Sequence, residues 1–235
     1  MHYLVALALA LCTVPMLNFA IFVANRPARY SQVISHRGNG FGYPENTVAA
    51  VGAALEHGYW VEIDVRLSAN GSPHLLHDPT VDRTTNCTGS IADLSDTALS
   101  SCGVPTLESV LKPSGGTIVI HCKIRECIAP AQRLVADASA APRVVYFVSD
   151  GDPSLVDTFG DHAVIWGVET LSVAQRLRPH VNFTKDMFGV SLQSLWSNSA
   201  LVRYVTRHSR NLDVWYMCDG GCRVGGNRWM SMGIP

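Results

Sequence analysis

The sequence predicts an α/β fold, a compact (β/α)8 barrel that follows an N-terminal apolar segment. Short runs rich in β-branched residues alternate with segments of helical periodicity, and this alternation continues nearly to the end of the chain. The part after the apolar segment holds roughly 205 residues, enough for one large domain. We therefore divide the chain into residues 1–29, a signal peptide or membrane anchor, and residues 30–235, one barrel domain.

The predicted strands are, in chain order, Val33–His36, Trp60–Val65, His74–Leu76, Thr117–Ile120, Val144–Val148, Val164–Val168, Gly189–Leu192 and Asp213–Met217. The predicted helices are Pro44–His57, Ile128–Ala138, a helix opened by Asp152 and Pro153 and ended by Gly160, and Leu201–His208. Strands separated by helices require right-handed crossovers and therefore indicate a parallel sheet. Eight such strands favour a barrel over an open sheet.

The link between the second and third predicted strands is too short for a helix. Leu67–Pro73 contains Asn70 followed by Gly71, which is typical of a tight hairpin turn. The alternative at this point is therefore an antiparallel hairpin instead of two parallel barrel strands.

The apolar segment, residues 3–24, contains no charged side chain. As a helix it would reach roughly 33 Å, enough to cross the hydrocarbon core of a bilayer. A secretory signal and an uncleaved anchor both fit this length. Arg26 and Arg29 follow the segment and favour a cytoplasmic location for what comes next, so the charge pattern alone does not decide the orientation.

The cysteines favour export. Cys12 lies in the apolar segment, and the other six form an even set: Cys87, Cys102, Cys122, Cys127, Cys218 and Cys222. Six cysteines suit an oxidising compartment, and their clustering suggests the pairs Cys87–Cys102, Cys122–Cys127 and Cys218–Cys222. The alternative is that these cysteines are buried free thiols that form no disulfides. We expect the barrel to lie outside the cytoplasm, secreted or anchored, with membrane association through residues 3–24.

The charge balance argues against a nucleic-acid partner. The chain carries 18 basic and 19 acidic side chains, for a formal charge of -1. No run of Lys and Arg is long enough to follow a phosphate backbone. We therefore expect a small-molecule or lipid-derived ligand.

Two carboxylates end the second predicted strand. Glu62 and Asp64 are two residues apart, so their side chains point to the same face of the strand. Carboxylates packed this closely repel each other unless a cation lies between them, and they are good oxygen ligands for Mg²⁺ or Ca²⁺. The pattern predicts a metal site, although such a pair alone is more often a solvated strand edge.

Two histidines end the first and third predicted strands. His36 is followed by Arg37 and Gly38, and His77 is followed by Asp78. A histidine on an apolar strand is usually a hydrogen-bonded core residue. Two imidazoles at one end of a barrel can instead take a proton from an attacking oxygen and give one to a leaving alkoxide.

The fourth predicted strand ends with His121, Cys122 and Lys123, which again places two polar side chains on one face. A buried Lys123 needs an anion. Together with Arg37 it would hold the non-bridging oxygens of a phosphodiester, or else it forms a salt bridge with Glu62 or Asp64.

These residues resemble the motifs of the glycerophosphodiester phosphodiesterases, a family of TIM-barrel enzymes. The family pattern is H-R-G, P-E-N-T, E-x-D and H-D, and the chain reads SHRGNGFGYPENT, VEIDV and LLHDPTVDRTT in the same order. The match also includes Pro105 to Glu108 and Trp215.

The resemblance implies a hydrolase that splits glycerophosphodiesters into glycerol 3-phosphate and an alcohol. His36 and His77 would transfer protons, and Glu62 and Asp64 would bind a divalent metal. Three residues would contact substrate: Arg37, Lys123 and Trp215.

The chain departs from the family pattern at His121, where the family usually has a metal-binding Glu. An imidazole can still bind a metal, but it favours Mn²⁺, Co²⁺ or Zn²⁺ over the Mg²⁺ or Ca²⁺ that the resemblance implies. The alternative is that His121 is not a ligand and that Glu126 or water takes its place.

Two other functions fit the same barrel. One is a phospholipase D-like enzyme that cleaves lysophospholipid or sphingomyelin, which would suit a chain held at a membrane. The other is a catalytically silent binding module that lost metal affinity through the change at His121.

Overall fold

The computed structural model describes residues 34–111, 115–139, 143–149, 151–191, 197–208 and 212–215. The predicted apolar segment, the boundary between residues 29 and 30, and the predicted Cys218–Cys222 pair lie outside these residues. Among the residues described, no helix is long and apolar enough to span a membrane. The described chain forms two compact units, residues 34–147 (the first unit) and 148–215 (the second unit).

Eight strands are described: β1 Ile34–His36, β2 Trp60–Leu67, β3 Pro73–Leu75, β4 Ile118–Cys122, β5 Val144–Val148, β6 Ala163–Gly167, β7 Met187–Ser191 and β8 Leu212–Trp215. Six α-helices are described: α1 Val48–Glu56, α2 Asp96–Ser101, α3 Leu107–Leu111, α4 Ile128–Asp137, α5 Leu171–Leu177 and α6 Ser199–His208. Three 3₁₀ segments, Ile91–Asp93, Arg125–Cys127 and Pro153–Phe159, complete the elements of the described chain.

The first unit is built on a parallel sheet in which β2 lies between β1 and β4, and β4 pairs in turn with β5. The register places His36 beside Glu62 and Asp64 beside His121. Because the carboxyl ends of parallel strands meet at one edge, the side chains that end these strands lie together.

The third strand departs from the predicted parallel arrangement. β3 pairs antiparallel with β2, with Val65 opposite Leu75, so the hairpin alternative is confirmed and a parallel third barrel strand is wrong. The intervening turn carries Gly71 at a φ of 77°, which suits glycine. β3 ends at Leu75, and the Leu76 amide donates to the Asp64 carbonyl over 3.0 Å, which keeps the following His77 beside β2.

The core of the first unit lies on the face of β2 opposite the carboxylates. Val61, Ile63 and Val65 are fully buried, and so are Ile118 and Ile120 of β4. Since side chains alternate along a strand, the intervening Glu62 and Asp64 point to the other face. The apolar alternation thus fixes where the acidic side chains must go.

Helix α1 begins later than the sequence predicts. Asn46 has a φ of 55°, which is incompatible with a helix, and Thr47 caps α1 by accepting from the Ala50 amide over 3.2 Å. The helix therefore starts at Val48 instead of Pro44. This leaves Glu45 and Asn46 in the loop that faces the strand ends.

The second unit pairs β6 with β7 and β7 with β8, all parallel. The helix predicted between Asp152 and Gly160 is a 3₁₀ segment with Asp152 as its cap. Trp215 is the last residue of β8, opposite Ser191 of β7. Its predicted contact with substrate concerns a side chain outside the described part of the structure and stays a prediction.

The segment after β3 has a small core of its own. Leu76, Val81, Ile91, Leu99 and Val104 are buried together. The disulfide between Cys87 and Cys102 packs against this cluster and confirms the first predicted pair.

The predicted disulfide between Cys122 and Cys127 is wrong for this structure, in which both are free thiols. Cys122 ends β4 and Cys127 ends the following 3₁₀ turn. The hydrogen bond to Cys127, together with burial, raises the pKa of Cys122 well above its usual range. The reactive thiolate is therefore scarce.

Peptide mapping of the unreduced protein should find Cys87 linked to Cys102, while Cys122 and Cys127 are alkylated as thiols after unfolding. The first pair is joined in the folded chain, whereas Cys122 and Cys127 are free thiols, of which Cys127 is buried. A peptide cross-linked through Cys122 and Cys127 would contradict the structure.

Candidate metal and acid–base site

The turn after β1 brings Arg37 back over the sheet. Arg37 has a φ of 56° and Gly38 a φ of 70°, so the backbone reverses within two residues of His36. A Cβ on Gly38 would lie 2.8 Å from the Ala50 carbonyl carbon, so only glycine lets the turn approach α1 this closely. The close approach of this turn to α1 thus explains why the H-R-G motif ends in glycine.

The two carboxylates of β2 are almost completely buried, each about 1% exposed. Glu62 Oε1 and Asp64 Oδ1 are buried oxygens that lack a hydrogen-bond partner in the described chain. Buried carboxylate oxygens without partners are costly, and a bound cation relieves that cost. Both atoms are therefore well suited as metal ligands.

His121 completes a group of three. Its Nδ1 lies 3.3 Å from Asp64 Oδ1 and 3.6 Å from Glu62 Oε1. One ligand atom from each of the three residues falls within 4.8 Å of the others. The Phe147 ring packs edge-on against the imidazole at 4.9 Å and limits its rotation.

The ionisable side chains of this group shift the pKa values of one another. Burial, together with the neighbouring Asp64, raises the pKa of Glu62. Burial also opposes ionisation of Asp64, but His121, Lys123 and Arg37 outweigh it and lower the pKa of that carboxyl. Burial disfavours a charged His121 as well, yet Asp64 and Glu62 raise its pKa above the usual value. The site thus attracts positive charge, as a cation-binding site must.

Glu126 does not take part in this group. Its side chain is exposed on the 3₁₀ turn after β4, and it lies outside the cluster formed by Glu62, Asp64 and His121. The geometry therefore favours His121 over Glu126 as the third ligand.

Asn46 fixes the orientation of Asp64. Its Nδ2 donates to Asp64 Oδ2 over 3.1 Å, and its Oδ1 accepts from the Asp64 amide over 3.0 Å. This double contact occupies Oδ2 and leaves Oδ1 for a cation. Sequence reasoning did not assign a role to Asn46, although its place in the P-E-N-T motif is a signal.

Arg37 and Lys123 supply positive charge next to the carboxylates. Arg37 Nε lies 3.1 Å from Asp64 Oδ2, its Nη1 donates to Glu45 over 3.1 Å, and Lys123 Nζ lies 3.5 Å from Asp64 Oδ1. Within the described residues Arg37 Nη2 has no partner, and Asp64 is the partner of Lys123. Both the predicted phosphate contact and the alternative salt bridge are thus compatible with the structure.

The two predicted proton-transfer residues lie in different environments. His36 is 8% exposed, with its Nε2 3.1 Å from Arg37 Nε and 3.8 Å from Glu62 Oε2. Burial, together with the charge of Arg37, lowers the pKa of His36 to about 3. His77 is more exposed, and its Nδ1 lies 2.7 Å from Asp78 Oδ1.

The fold and this site together define a class. The chain is an α/β protein whose parallel strands end in a buried group of two carboxylates and a histidine, flanked by cationic and imidazole side chains. This donor set fits a divalent cation.

Residues 36–126 match the glycerophosphoryl diester phosphodiesterase family, and this segment contains the candidate metal ligands together with the histidine and cationic side chains described above. The resemblance noted in the sequence is thus confirmed over this segment, which is 91 of the 235 residues of the chain.

The chain is similar to glycerophosphodiester phosphodiesterase 1 of Bos taurus, with 45% identity over 71 residues, 30% of this chain and 22% of that protein. It is 47% identical over 64 residues, 27% of this chain, to the glycerophosphodiester phosphodiesterase of Caldanaerobacter subterraneus, of which it covers 26%. The chain thus matches about a quarter of the length of these relatives.

The similarity to solved structures extends further along the chain. Glycerophosphodiester phosphodiesterase from Thermotoga maritima aligns with a TM-score of 0.67 at 22% identity, covering 81% of this chain and 88% of that one. The enzyme from Agrobacterium tumefaciens aligns with a TM-score of 0.62 at 25% identity, covering 83% and 89%. The fold is that of these proteins.

Changing His121 to Glu should shift the preferred ion toward Mg²⁺ or Ca²⁺. The change replaces an imidazole nitrogen by a charged oxygen, the ligand type that hard cations prefer. Isothermal titration with Mg²⁺, Ca²⁺, Mn²⁺ and Zn²⁺ measures the order of affinity without an activity assay. An unchanged order would mean that His121 is not a ligand.

Proposed function

We propose that this chain is a metal-dependent phosphodiester hydrolase that cleaves glycerophosphodiesters to glycerol 3-phosphate and an alcohol. The observation that carries the proposal is the convergence of Glu62, Asp64 and His121 at the ends of adjacent strands, beside two further histidines. The family match and the likeness to solved phosphodiesterases support it. A closed (β/α)8 barrel is the scaffold that we propose for this site.

Glu62, Asp64 and His121 would hold the metal. When bound, the ion would act as a Lewis acid that polarises a phosphoryl oxygen. Mg²⁺ or Ca²⁺ is implied by the family, whereas the nitrogen of His121 favours Mn²⁺, Co²⁺ or Zn²⁺ relative to them.

Arg37 and Lys123 would bind the phosphate. Both cations lie beside Asp64, and Arg37 keeps Nη2 without a partner among the described residues. A guanidinium and an ammonium group at this position neutralise the charge that develops on the non-bridging oxygens. Trp215 is proposed to line the substrate-binding region on the family resemblance alone.

His36 and His77 would transfer the protons. His36, with a pKa lowered to about 3, is neutral near pH 7, which is the protonation state that a proton acceptor requires, and a pKa this low makes it a weak base. Asp78 contacts His77 Nδ1 and leaves Nε2, which has no partner within the described chain, to exchange a proton with the leaving oxygen. The two rings thus suit complementary roles.

The test is release of glycerol 3-phosphate from glycerophosphocholine and related diesters by purified residues 30–235. We expect activity that EDTA stops and that an added divalent ion restores. Activity that survives both EDTA and His36→Ala would overturn the mechanism.

A lysophospholipid is a second candidate substrate. Tyr43, Val48 and Ile124 are large hydrophobic side chains that are 49%, 47% and 38% exposed, and each lies within two residues of Glu45, Asn46 or Lys123 in the chain. Exposed apolar groups near an active site suit an acyl chain. If the protein cleaves lysophospholipid and does not cleave glycerophosphocholine, lysophospholipid would replace glycerophosphodiesters as the proposed substrate.

We also propose that the chain is exported, with residues 1–29 as leader or anchor. The Cys87–Cys102 disulfide supports an oxidising compartment. A fusion of residues 1–29 to a reporter enzyme that works only outside the cytoplasm tests this location, and an inactive reporter that is nevertheless expressed would refute it.

A further inference from the structure

One guanidinium joins two loops of the first unit. Arg83 Nε donates to Asp78 Oδ2 over 2.5 Å, and Arg83 Nη2 donates to Glu45 Oε1 over 2.5 Å. Asp78 belongs to the loop after β3, and Glu45 belongs to the loop between β1 and α1. Arg83 therefore links the H-D motif to the P-E-N-T motif, although Glu45 lies 38 residues earlier.

Asp78, at one end of this link, also contacts His77. Asp78 uses Oδ2 for Arg83 and Oδ1 for His77 Nδ1. The hydrogen bond from Arg83 and that from His77 lower the pKa of Asp78 to about 2, in spite of partial burial. An ionised carboxylate can only accept, so His77 must carry its proton on Nδ1 and present Nε2 for proton exchange.

The Glu45 end of the link holds Arg83 in place. Glu45 also accepts from Arg37 Nη1, over 3.1 Å at Oε1 and 3.3 Å at Oε2. Glu45 is therefore fixed by two guanidinium groups, and it gives Arg83 an anchor outside the loop that carries His77. A second contact restrains the same loop, because Arg66 Nε donates to the His77 carbonyl over 2.8 Å.

We propose that Arg83 is a positioning residue for His77: by holding Asp78 against Glu45, it sets the tautomer and the direction of the His77 ring. This inference rests on the proposed function, in which His77 transfers a proton. Arg83 itself touches neither His77 nor a metal ligand within the described chain.

A purely structural role does not explain the arrangement. The Arg83 side chain is 49% exposed, and exposed ion pairs contribute little to stability. Its loop already has a disulfide and a buried apolar cluster. Loss of the Arg83 side chain should therefore alter the tautomer and direction of the His77 ring and leave the melting temperature nearly unchanged.

The first measurement needs no activity. NMR of the ¹⁵N-histidine-labelled full chain at about pH 9, above the usual range of imidazole titration, reports the tautomer of each ring. A His77→Gln sample identifies the His77 signals. We expect the Nδ1–H form in the wild type, and a substantial Nε2–H population in Arg83→Ala. An unchanged tautomer in Arg83→Ala would overturn the proposal.

The second measurement uses kinetics. In Arg83→Ala we expect kcat to fall roughly 10–100-fold, as is common when the partner of a functional histidine is lost, with KM changed less than about twofold. Arg83→Lys should recover part of the loss, since an ammonium can still hold one carboxylate. The matched control is Arg133→Ala, an exposed arginine of α4 without an ion pair in the described chain.

A double-mutant cycle tests the path through Asp78. If Arg83 acts through this carboxylate, Arg83→Ala should cause little further loss of kcat in an Asp78→Asn background. Losses that simply multiply would overturn the proposal. If the wild type hydrolyses no glycerophosphodiester, the proposed function fails, but the tautomer measurement still decides whether Arg83 positions His77.

Discussion

Changing Glu62 to Gln should lower kcat/KM roughly a thousandfold, because a Lewis-acid metal supplies several kcal/mol of transition-state stabilisation. The same change should raise the melting temperature of the metal-free protein. Glu62 is a buried carboxylate whose ionisation is opposed by burial and by Asp64. Gln keeps the shape of the side chain and an oxygen that can accept from the Arg37 amide, as Glu62 Oε2 does over 3.1 Å.

The gain in stability should depend on pH. Because the pKa of Glu62 is raised in the folded chain, its stabilising contribution is present below the usual Glu range and is lost as pH rises through the raised pKa. The difference in melting temperature between Glu62→Gln and wild type should therefore grow from acidic to neutral pH. Thermal unfolding in EDTA measures it.

The matched control for Glu62→Gln is Glu126→Gln, which alters an exposed carboxylate outside the cluster. It should change neither activity nor melting temperature. A Glu62→Gln protein that binds metal with wild-type affinity would contradict the assignment of Glu62 as a ligand.

Replacing either His36 or His77 by Gln should lower kcat by roughly 10²–10⁴, the range expected when a general acid or base is removed. Neither ring belongs to the group of Glu62, Asp64 and His121, so metal affinity should remain within a few fold of wild type. Steady-state kinetics with calorimetric metal titration separates the two effects.

His180→Gln is the control for these histidine variants, since His180 is exposed in the second unit. It should behave as wild type. A His77→Gln enzyme with full activity would remove His77 from the mechanism, whereas loss of metal binding in His36→Gln would indicate that His36 supports the metal site instead of transferring a proton.

The central site could be predicted from the sequence because it depends on local rules. Alternation along β2 places Glu62 and Asp64 on one face, and the ends of the neighbouring parallel strands place His36 and His121 beside them. These relations follow from strand pleat and from parallel pairing.

The partners of these residues depend on contacts between distant segments. The link from Arg83 to Glu45 joins two loops, and no periodicity in the sequence indicates it. The late start of α1 depends on Asn46, whose left-handed backbone is needed for its two hydrogen bonds to Asp64. Cys122 and Cys127 are close in the sequence, and this closeness led to the wrong prediction of a disulfide. Nearness along the chain does not bring two sulfurs into the geometry that a disulfide requires.

The disulfide described above has a consequence for how activity can be lost. The Cys87–Cys102 bond and its apolar cluster are built almost entirely from residues that follow β3, in the same segment as Asp78 and Arg83. Such a segment can open as a cooperative unit of its own, with a free energy below that of global unfolding. On the proposed function, reduction would loosen the segment that carries Asp78 and Arg83 while the sheet stays intact, so the lifetime of activity and the lifetime of the fold would be set by different parts of the chain.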